Sequence, residues 1–373
     1  GREAAVLRDL RSTEVGTAAR AGLAEAGIIL VGERAGTSPG ALSAAAQLAA
    51  ETGARLAWVP RRAGERGALE AGALGALLPG GRPMTDAAAR GEVAAVWEVD
   101  ALPDTPARDT AGIIAAAASG DLDALVVGGV DPADLGLSDT SNALQRAFVV
   151  SLELRESAVT PFADVVLPVA AQAEKEGSYV NWEGRIRPFE LALTTNHVSD
   201  HRALDMLAGE LGHFLETGTK RQIHDQFEAL GPWSGTRGLS ASGQAEAAPV
   251  VGDGLGDHVL ATWPTLLDRG RMQDGEPFLA GTARRATAHL SPGSAERLGV
   301  GDGSAVTVTG PRGSVTVPVA VVEGMVDGVV WLPTNSEGVS VRSGLGSEAG
   351  HRVSVTASGT GSDPAHLTKG GVG

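Results

Sequence analysis

Six short apolar runs recur between Gly27 and Val169, and each is too brief to be more than a strand or a piece of buried helix. They occupy residues 27–32, 55–59, 92–99, 122–128, 147–152 and 164–169. Between and after them lie stretches rich in small residues with helical character, at 40–52, 109–119 and 201–212. Ser38-Pro39 offers an N-cap and an N1 proline for the first of these, and Ser199 or Asp200 a cap for the last. Strands alternating with helices predict a parallel sheet of the open α/β kind, Rossmann-like in its winding.

Periodicity then stops. Residues 231–256 fill with Gly, Ser, Ala and Pro and read as a linker. Beyond it the character is different. Ser291-Pro292 begins a short helix that ends at Gly299, and strands follow at 304–309 and 314–322, joined by Gly310-Pro311-Arg312-Gly313. Val315, Val317, Val319 and Val321 alternate with period two, so one face of that strand packs inward. Further strands fall at 328–333 and 352–356. The organisation expected is an α/β domain over 1–230, the linker over 231–256, a smaller β-barrel over 257–356 and a flexible tail over 357–373.

Composition removes several functions. A net charge of −15 leaves no basic face for nucleic acid. With no cysteine, the chain has no disulfide, no thiolate-bound zinc and no ordinary iron–sulfur cluster of its own. No apolar run reaches the 18 or so residues that a membrane span needs, so no direct insertion is expected. The opening Gly1-Arg2-Glu3 lacks the pattern of a signal peptide, and a Gly start suggests further sequence upstream. The 52 glycines suit tight turns and close packing, or reflect a GC-rich genome.

Few residues point to chemistry unaided. Gly32 and Gly36 follow a strand and precede a helix, where backbone N–H groups and the helix dipole hold phosphates. The segment is not G-x-G-x-x-G and lacks a P-loop lysine, so a tight turn needing small residues is the plainer explanation. Arg61, Arg62 and Arg66 follow the next strand, as a phosphate fork or as a solvated loop. His197 and His201 straddle a helix start and lack the arrangement of a metal pair. No Ser-His-Asp set is recognisable.

One stretch resembles a known family. Ala163-Asp164-Val165-Val166-Leu167-Pro168-Val169, then Glu174, Gly177 and Asn181-Trp182-Glu183-Gly184-Arg185, is similar in order to the molybdopterin oxidoreductase superfamily. The NWEGR ending looks most like the large iron–sulfur subunits (the G subunits) of bacterial NADH:quinone oxidoreductase, complex I. GIILVGERAGTSPGA resembles the second α/β portion of the actinobacterial members, and the segment from Ala288 to Asn335 their molybdopterin dinucleotide-binding-like barrel.

The resemblance implies a scaffold within a redox subunit, peripheral on the inner face of the plasma membrane, with other peripheral-arm subunits as partners. Iron–sulfur clusters would belong to an N-terminal region, and no cofactor to this chain. It further implies that Gly128, Gly129 and Asp131 line the nucleotide side of a vestigial pterin cleft, with Thr334 and Asn335 as the barrel's counterpart loop. A turn with Asp131 as its cap explains the first three equally well, and an internal network is the plainer account of Thr334 and Asn335. A Glu183–Arg185 or Glu153–Arg155 ion pair likewise accounts for the charges around the signature. Two alternatives stay open: a true molybdopterin enzyme such as a formate dehydrogenase, and a regulatory module binding a nucleotide at the Gly32 loop.

Overall fold

Thr13 accepts a hydrogen bond from the Gly16 amide and so starts the first long helix of the computed structural model, which describes residues 3–38, 40–235 and 256–358. The described residues divide into two units, one of 3–36 with 40–235 and one of 256–358 with 37–38. Most of the expected linker, at 236–255, and of the tail, at 359–373, lies outside the described residues.

In the α/β unit, α1 (Glu3–Arg8) and α2 (Glu14–Ala26) precede β1 (Ile28–Gly32), α3 (Ala41–Thr52) and β2 (Arg55–Val59). β1 and β2 pair in parallel, Ile28 opposite Arg55 and Gly32 opposite Val59. α3 buries Ala41, Ala44, Ala45, Leu48 and Ala49, small side chains that let it lie close to β1 and β2. The cap expected at Ser38 is not the one used. A 3-10 turn, Glu33–Thr37, fills the connection, and the helix starts only after Gly40, whose φ of 74° redirects the chain.

α4 (Glu65–Glu70), the two-residue strands β3 (Leu77–Leu78) and β4 (Arg82–Pro83), and α5 (Ala87–Val96) follow. The strand expected at 92–99 is therefore mostly helix. Asp86 caps it by accepting from the amides of Ala88 and Ala89, and Ala89 and Val93 bury one stripe four residues apart.

The second sheet is built from α6 (Thr110–Ser119), β5 (Ala124–Gly128), α7 (Pro132–Leu135), α8 (Thr140–Arg146), β6 (Phe148–Glu153) and β7 (Val165–Pro168). β5, β6 and β7 are parallel neighbours in that order. Ile114 and Ala117 of α6 and Ala143 and Leu144 of α8 pack on Leu125 and Val149. On the other face Leu152 and Val169 meet Ala203 of α9 (Asp200–Glu210), which follows the hairpin of β8 (Gly177–Val180) and β9 (Ile186–Phe189). α10 (Lys220–Leu230) closes the unit.

One continuous sheet was the expectation, and the structure has two. The loss of the third strand to α5 leaves β1–β2 and β5–β6–β7 as separate parallel sheets.

The second unit contains β10 (His258–Trp263), α11 (Pro277–Ala280), β11 (Ala288–Leu290), α12 (Pro292–Leu298), β12 (Ala305–Thr309), β13 (Ser314–Val321) and β14 (Val329–Pro333). The short ribbon β15 (Asn335–Ser336) with β16 (Val339–Ser340) leads to β17 (Arg352–Ala357). Six strands close into a barrel in the order β10-β14-β11-β13-β12-β17. The expected inward face of β13 holds, with Val317 and Val319 buried and Val315 and Val321 packed against the same core. Leu260, Leu290, Val306, Val308, Val330, Leu332, Val353 and Val355 fill the interior. Ser291 caps α12, accepting from the Ser294 amide, with Pro292 at its first turn as the sequence predicts.

Candidate functional site

Gly32 ends β1, and Gly36 sits in the 3-10 turn that follows. Neither has the left-handed backbone that demands glycine, and a Cβ at either would meet nothing within 4 Å. The next residue is Glu33, whose carboxylate lies 3.8 Å from the Arg61 guanidinium. The two charges offset one another beside this loop. At the N-terminus of α3, where an anion would sit, helix α1 packs across, and Arg8 Nη2 lies 3.1 Å from where a Cβ on Gly40 would be.

Apart from the Arg61–Glu33 pair, the contacts of the basic run after β2 lie within its own segment. The amides of Arg61 and Arg62 donate to Glu65 Oε2 at 3.1 and 3.4 Å, and Arg66 pairs with Glu70 at 2.5 Å.

β5 ends at Gly128, and Gly129 turns the chain at φ 63°. Asp131 N-caps α7, its Oδ1 accepting from the Ala133 amide at 2.9 Å. In the barrel, Thr334 Oγ1 shares a hydrogen bond with Thr262 Oγ1 at 2.9 Å, and its amide donates to the Trp263 carbonyl. Asn335 exchanges backbone and side-chain hydrogen bonds with Arg269, the amide of Arg269 donating to the Asn335 carbonyl at 3.1 Å. Asp131 is thus engaged in its own turn, and Thr334 and Asn335 by segments distant in sequence. Gly32 and Gly36 follow the first sheet, while Gly128, Gly129 and Asp131 follow the second, and the two sheets share no strand pairing.

The signature segment forms a tied hairpin. Asn181 and Arg185 close its turn, Asn181 Oδ1 accepting from the Arg185 amide at 2.9 Å, and Gly184 supplies φ 83°. Glu183 and Arg185 form an exposed ion pair at 3.2 Å. Tyr179 stacks on Phe189 with centroids 5.1 Å apart.

Charged residues lash the hairpin to α9 and α10. Lys175 pairs with Asp200, and Lys220 reaches Glu176 at 2.8 Å and Glu190 at 3.3 Å. The Glu176 carboxylate raises the Lys220 pKa, and Lys220 in turn lowers that of Glu176. The Ala171 amide, donating at 2.9 Å, and then His197 hold Glu174 below the usual carboxylate range. Burial pushes His201 down, and its Nε2 shares a hydrogen bond with Ser199 Oγ at 3.1 Å. No set of three His, Asp or Glu suited to a metal ion occurs among the described residues.

Sequence reasoning missed one hollow of about 550 Å3, lined by Asp123, Arg146, Phe148, Phe162 and Asp164 among others. It lies at the N-terminal ends of β5, β6 and β7, the edge opposite to Gly128. Open parallel sheets bind ligands at the carboxyl ends of their strands. Asp164 is occupied there structurally, accepting from the Val149 amide at 2.7 Å.

The candidate polar side chains are engaged by other residues of the protein: Asp131 by the Ala133 amide, Thr334 by Thr262 and Asn335 by Arg269.

Comparison with known proteins agrees with both units. A molybdopterin oxidoreductase family model matches residues 16–197, and a Molydopterin dinucleotide binding domain model matches residues 271–368. The G subunit of the NADH-quinone oxidoreductase of Mycobacterium tuberculosis is 51% identical over 364 residues, covering 96% of this chain and 44% of its own length. Its counterpart from Streptomyces coelicolor is 49% identical over 341 residues, covering 89% of this chain and 40% of its own length. A Bacillus subtilis relative named for formate dehydrogenase is far more distant, 24% identical over 73% of this chain and 32% of its own length. The chain spans less than half the length of these relatives.

Proposed function

From the premise that this chain belongs to the molybdopterin oxidoreductase family, among the G subunits of NADH-quinone oxidoreductase, we propose that it is the scaffold portion of such a subunit. In this reading the α/β domain over 1–230 and the barrel over 257–356 keep the architecture of a pterin enzyme without its cofactor. The whole subunit passes electrons from NADH toward quinone through iron–sulfur clusters bound in the part of its length outside this chain. Cysteine is absent here, so no thiolate in these residues ligates a cluster. The partners are other peripheral-arm subunits, and the location is the inner face of the plasma membrane, reached through the complex. No helix among the described residues is long and apolar enough to cross a membrane.

The observation that carries the reading is the 51% identity over 96% of the chain. The engagement of the candidate cleft side chains in local capping and pairing supports the cofactor-free part of it. The vestigial cleft would be formed by Gly32, Gly36, Gly128, Gly129, Asp131, Thr334 and Asn335.

The test is to purify the whole complex from gently solubilised membranes and assay molybdenum and oxidised pterin. Material that oxidises NADH and contains iron and FMN, without molybdenum or pterin, is the expected result. Stoichiometric molybdenum and pterin would establish the formate dehydrogenase-like alternative instead.

A further inference from the structure

A segment whose two ends are pinned side by side can come away without disturbing the fold beneath it. Residues 171–197 are such a segment. Val169 and Ala170 are buried at one end, and Val198 at the other bridges Val169 in parallel. The Ala170 amide donates to the Val198 carbonyl at 2.8 Å. Leu152 and Ala203 hold these ends in the core of the second sheet. Between the ends no residue from 171 to 197 is buried, and Trp182, Ile186, Leu191 and Leu193 are each more than half exposed. Apolar burial, the main cohesive term in a fold, therefore does little to hold this segment down.

The segment is complete in itself. β8 and β9 pair only with each other, Asn181 Oδ1 closes their turn on the Arg185 amide, and Tyr179 stacks on Phe189. At its base the amides of Ala192 and Leu193 both donate to the Ala173 carbonyl at 2.8 Å, which ties one limb to the other. The ties to α9 and α10 are of another kind. Lys175 pairs with Asp200 at the start of α9, and Ser178 Oγ shares a hydrogen bond with His224 Nε2 of α10 at 3.2 Å. Lys220, the first residue of α10, takes Glu176 at 2.8 Å and Glu190 at 3.3 Å. Those carboxylates lie on opposite limbs, one before β8 and one after β9, so a single ammonium staples both. Beside α4, Val180 Cγ2 lies 3.8 Å from where a Cβ on Gly67 would be.

Ion pairs at a surface are individually weak and fade as salt rises. A two-stranded hairpin without support is marginal in water. We propose that residues 171–197 form a strap that detaches from α9 and α10 as one unit, with Lys220 as its electrostatic latch and ionic strength as its control. Opening leaves the second sheet intact, because both ends stay fixed at Val169 and Val198. It uncovers Asp200, His224 and the first turns of α9 and α10. Once off, the hairpin melts, so its amides exchange with solvent at a lower free energy than those of the sheet. The inference concerns this chain's own residues and depends neither on pterin nor on the subunit reading.

Hydrogen exchange read by mass spectrometry on the full-length protein in its native assembly tests it. Peptides covering 172–193 are compared with peptides covering 147–153 of β6, at about 0.1 M and about 1 M salt, between which the Debye length falls from about 10 Å to about 3 Å. The strap is expected to exchange roughly tenfold or more faster than β6. Raising the salt should speed the strap about threefold and leave β6 unchanged. Lys220→Met removes both pairs at once, and should speed the strap about fivefold at low salt and blunt its salt response. Glu190→Gln, at a largely exposed side chain, frees one limb only and stands in should the first variant fail to assemble. Strap exchange as slow as that of β6 would overturn the proposal. So would strap exchange that ignores both salt and the variants, or an equal acceleration of strap and β6, which marks unfolding of the whole unit.

Discussion

Arg82 faces the ring of Trp233, its guanidinium carbon 5.6 Å from the ring centroid, although 151 positions separate the two in sequence (233 − 82 = 151). Arg82 is almost wholly buried and its donors are spread over three segments. Nε meets Glu92 of α5 at 2.9 Å, Nη1 the Pro79 carbonyl at 3.1 Å, and Nη2 the carbonyls of Leu230 and Gly231 at 2.6 and 3.2 Å. One planar fork thus ties the end of α10 to the turn before β4 and to α5, a geometry that lysine does not reproduce.

Replacing Arg82 with Met keeps volume but removes every donor, leaving Glu92 and the carbonyls at the end of α10 to find others. The expected loss is about 3 kcal/mol in urea unfolding, the range for stripping one partner from a buried charged network. Arg82→Lys should recover less than half of it. A loss below about 0.5 kcal/mol, the scatter of ordinary surface changes, would show that the fork does not hold the unit together.

Ser151 presents the opposite case. Its side chain lies in β6 with no exposure, and its hydroxyl has no hydrogen-bond partner. An unsatisfied buried hydroxyl costs about 1–3 kcal/mol, so Ser151→Ala is expected to raise stability by about 1 kcal/mol after allowing for the small void. Thermal unfolding of the two proteins side by side decides it. A fall in stability would mean that an ordered water satisfies the hydroxyl.

What is legible in the sequence is whatever a local pattern fixes. The alternating valines of β13, the Ser291-Pro292 start of α12 and the helical stretch that became α6 each follow from neighbours in the chain. Residues 92–99 mislead because a short apolar run carries no period of its own. The cue that outweighs it lies upstream, in Asp86 followed by three alanines. β11 has only three residues and shows no signal; its pairing with β13 and β14 is wholly non-local. The candidate site is legible as positions but not as roles, because only the fold reveals that Arg8 lies beside Gly40 and that Glu33 pairs with Arg61.

Asp131 tests the division between position and role. As the cap of α7 it is expected to contribute about 1 kcal/mol, so Asp131→Ala should lose that amount, whereas Asp131→Asn retains an accepting oxygen and most of the stability. NADH:quinone activity per assembled complex should be unchanged in both. A drop in turnover in Asp131→Asn, with stability intact, would give the side chain a ligand-binding role.

His289 in the barrel gives a pH signature. Its ring lies 4.4 Å from that of Trp331, across the β11–β14 pairing, and burial pushes its pKa below the usual histidine value. In the α/β unit burial lowers His201 as well, against the pull of Asp200. A histidine whose folded pKa is depressed takes up its proton more readily when unfolded. Its stabilising contribution is therefore full above the unfolded value of 6.5 and is lost as pH falls from there toward the folded value. His289→Phe removes the titration and keeps an aromatic partner for Trp331. The barrel's unfolding free energy, measured by urea at steps from about pH 7.5 to pH 5.5, should then decline less steeply in the variant than in the parent. Parallel curves would mean that the imidazole is as free to protonate in the barrel as in the unfolded chain.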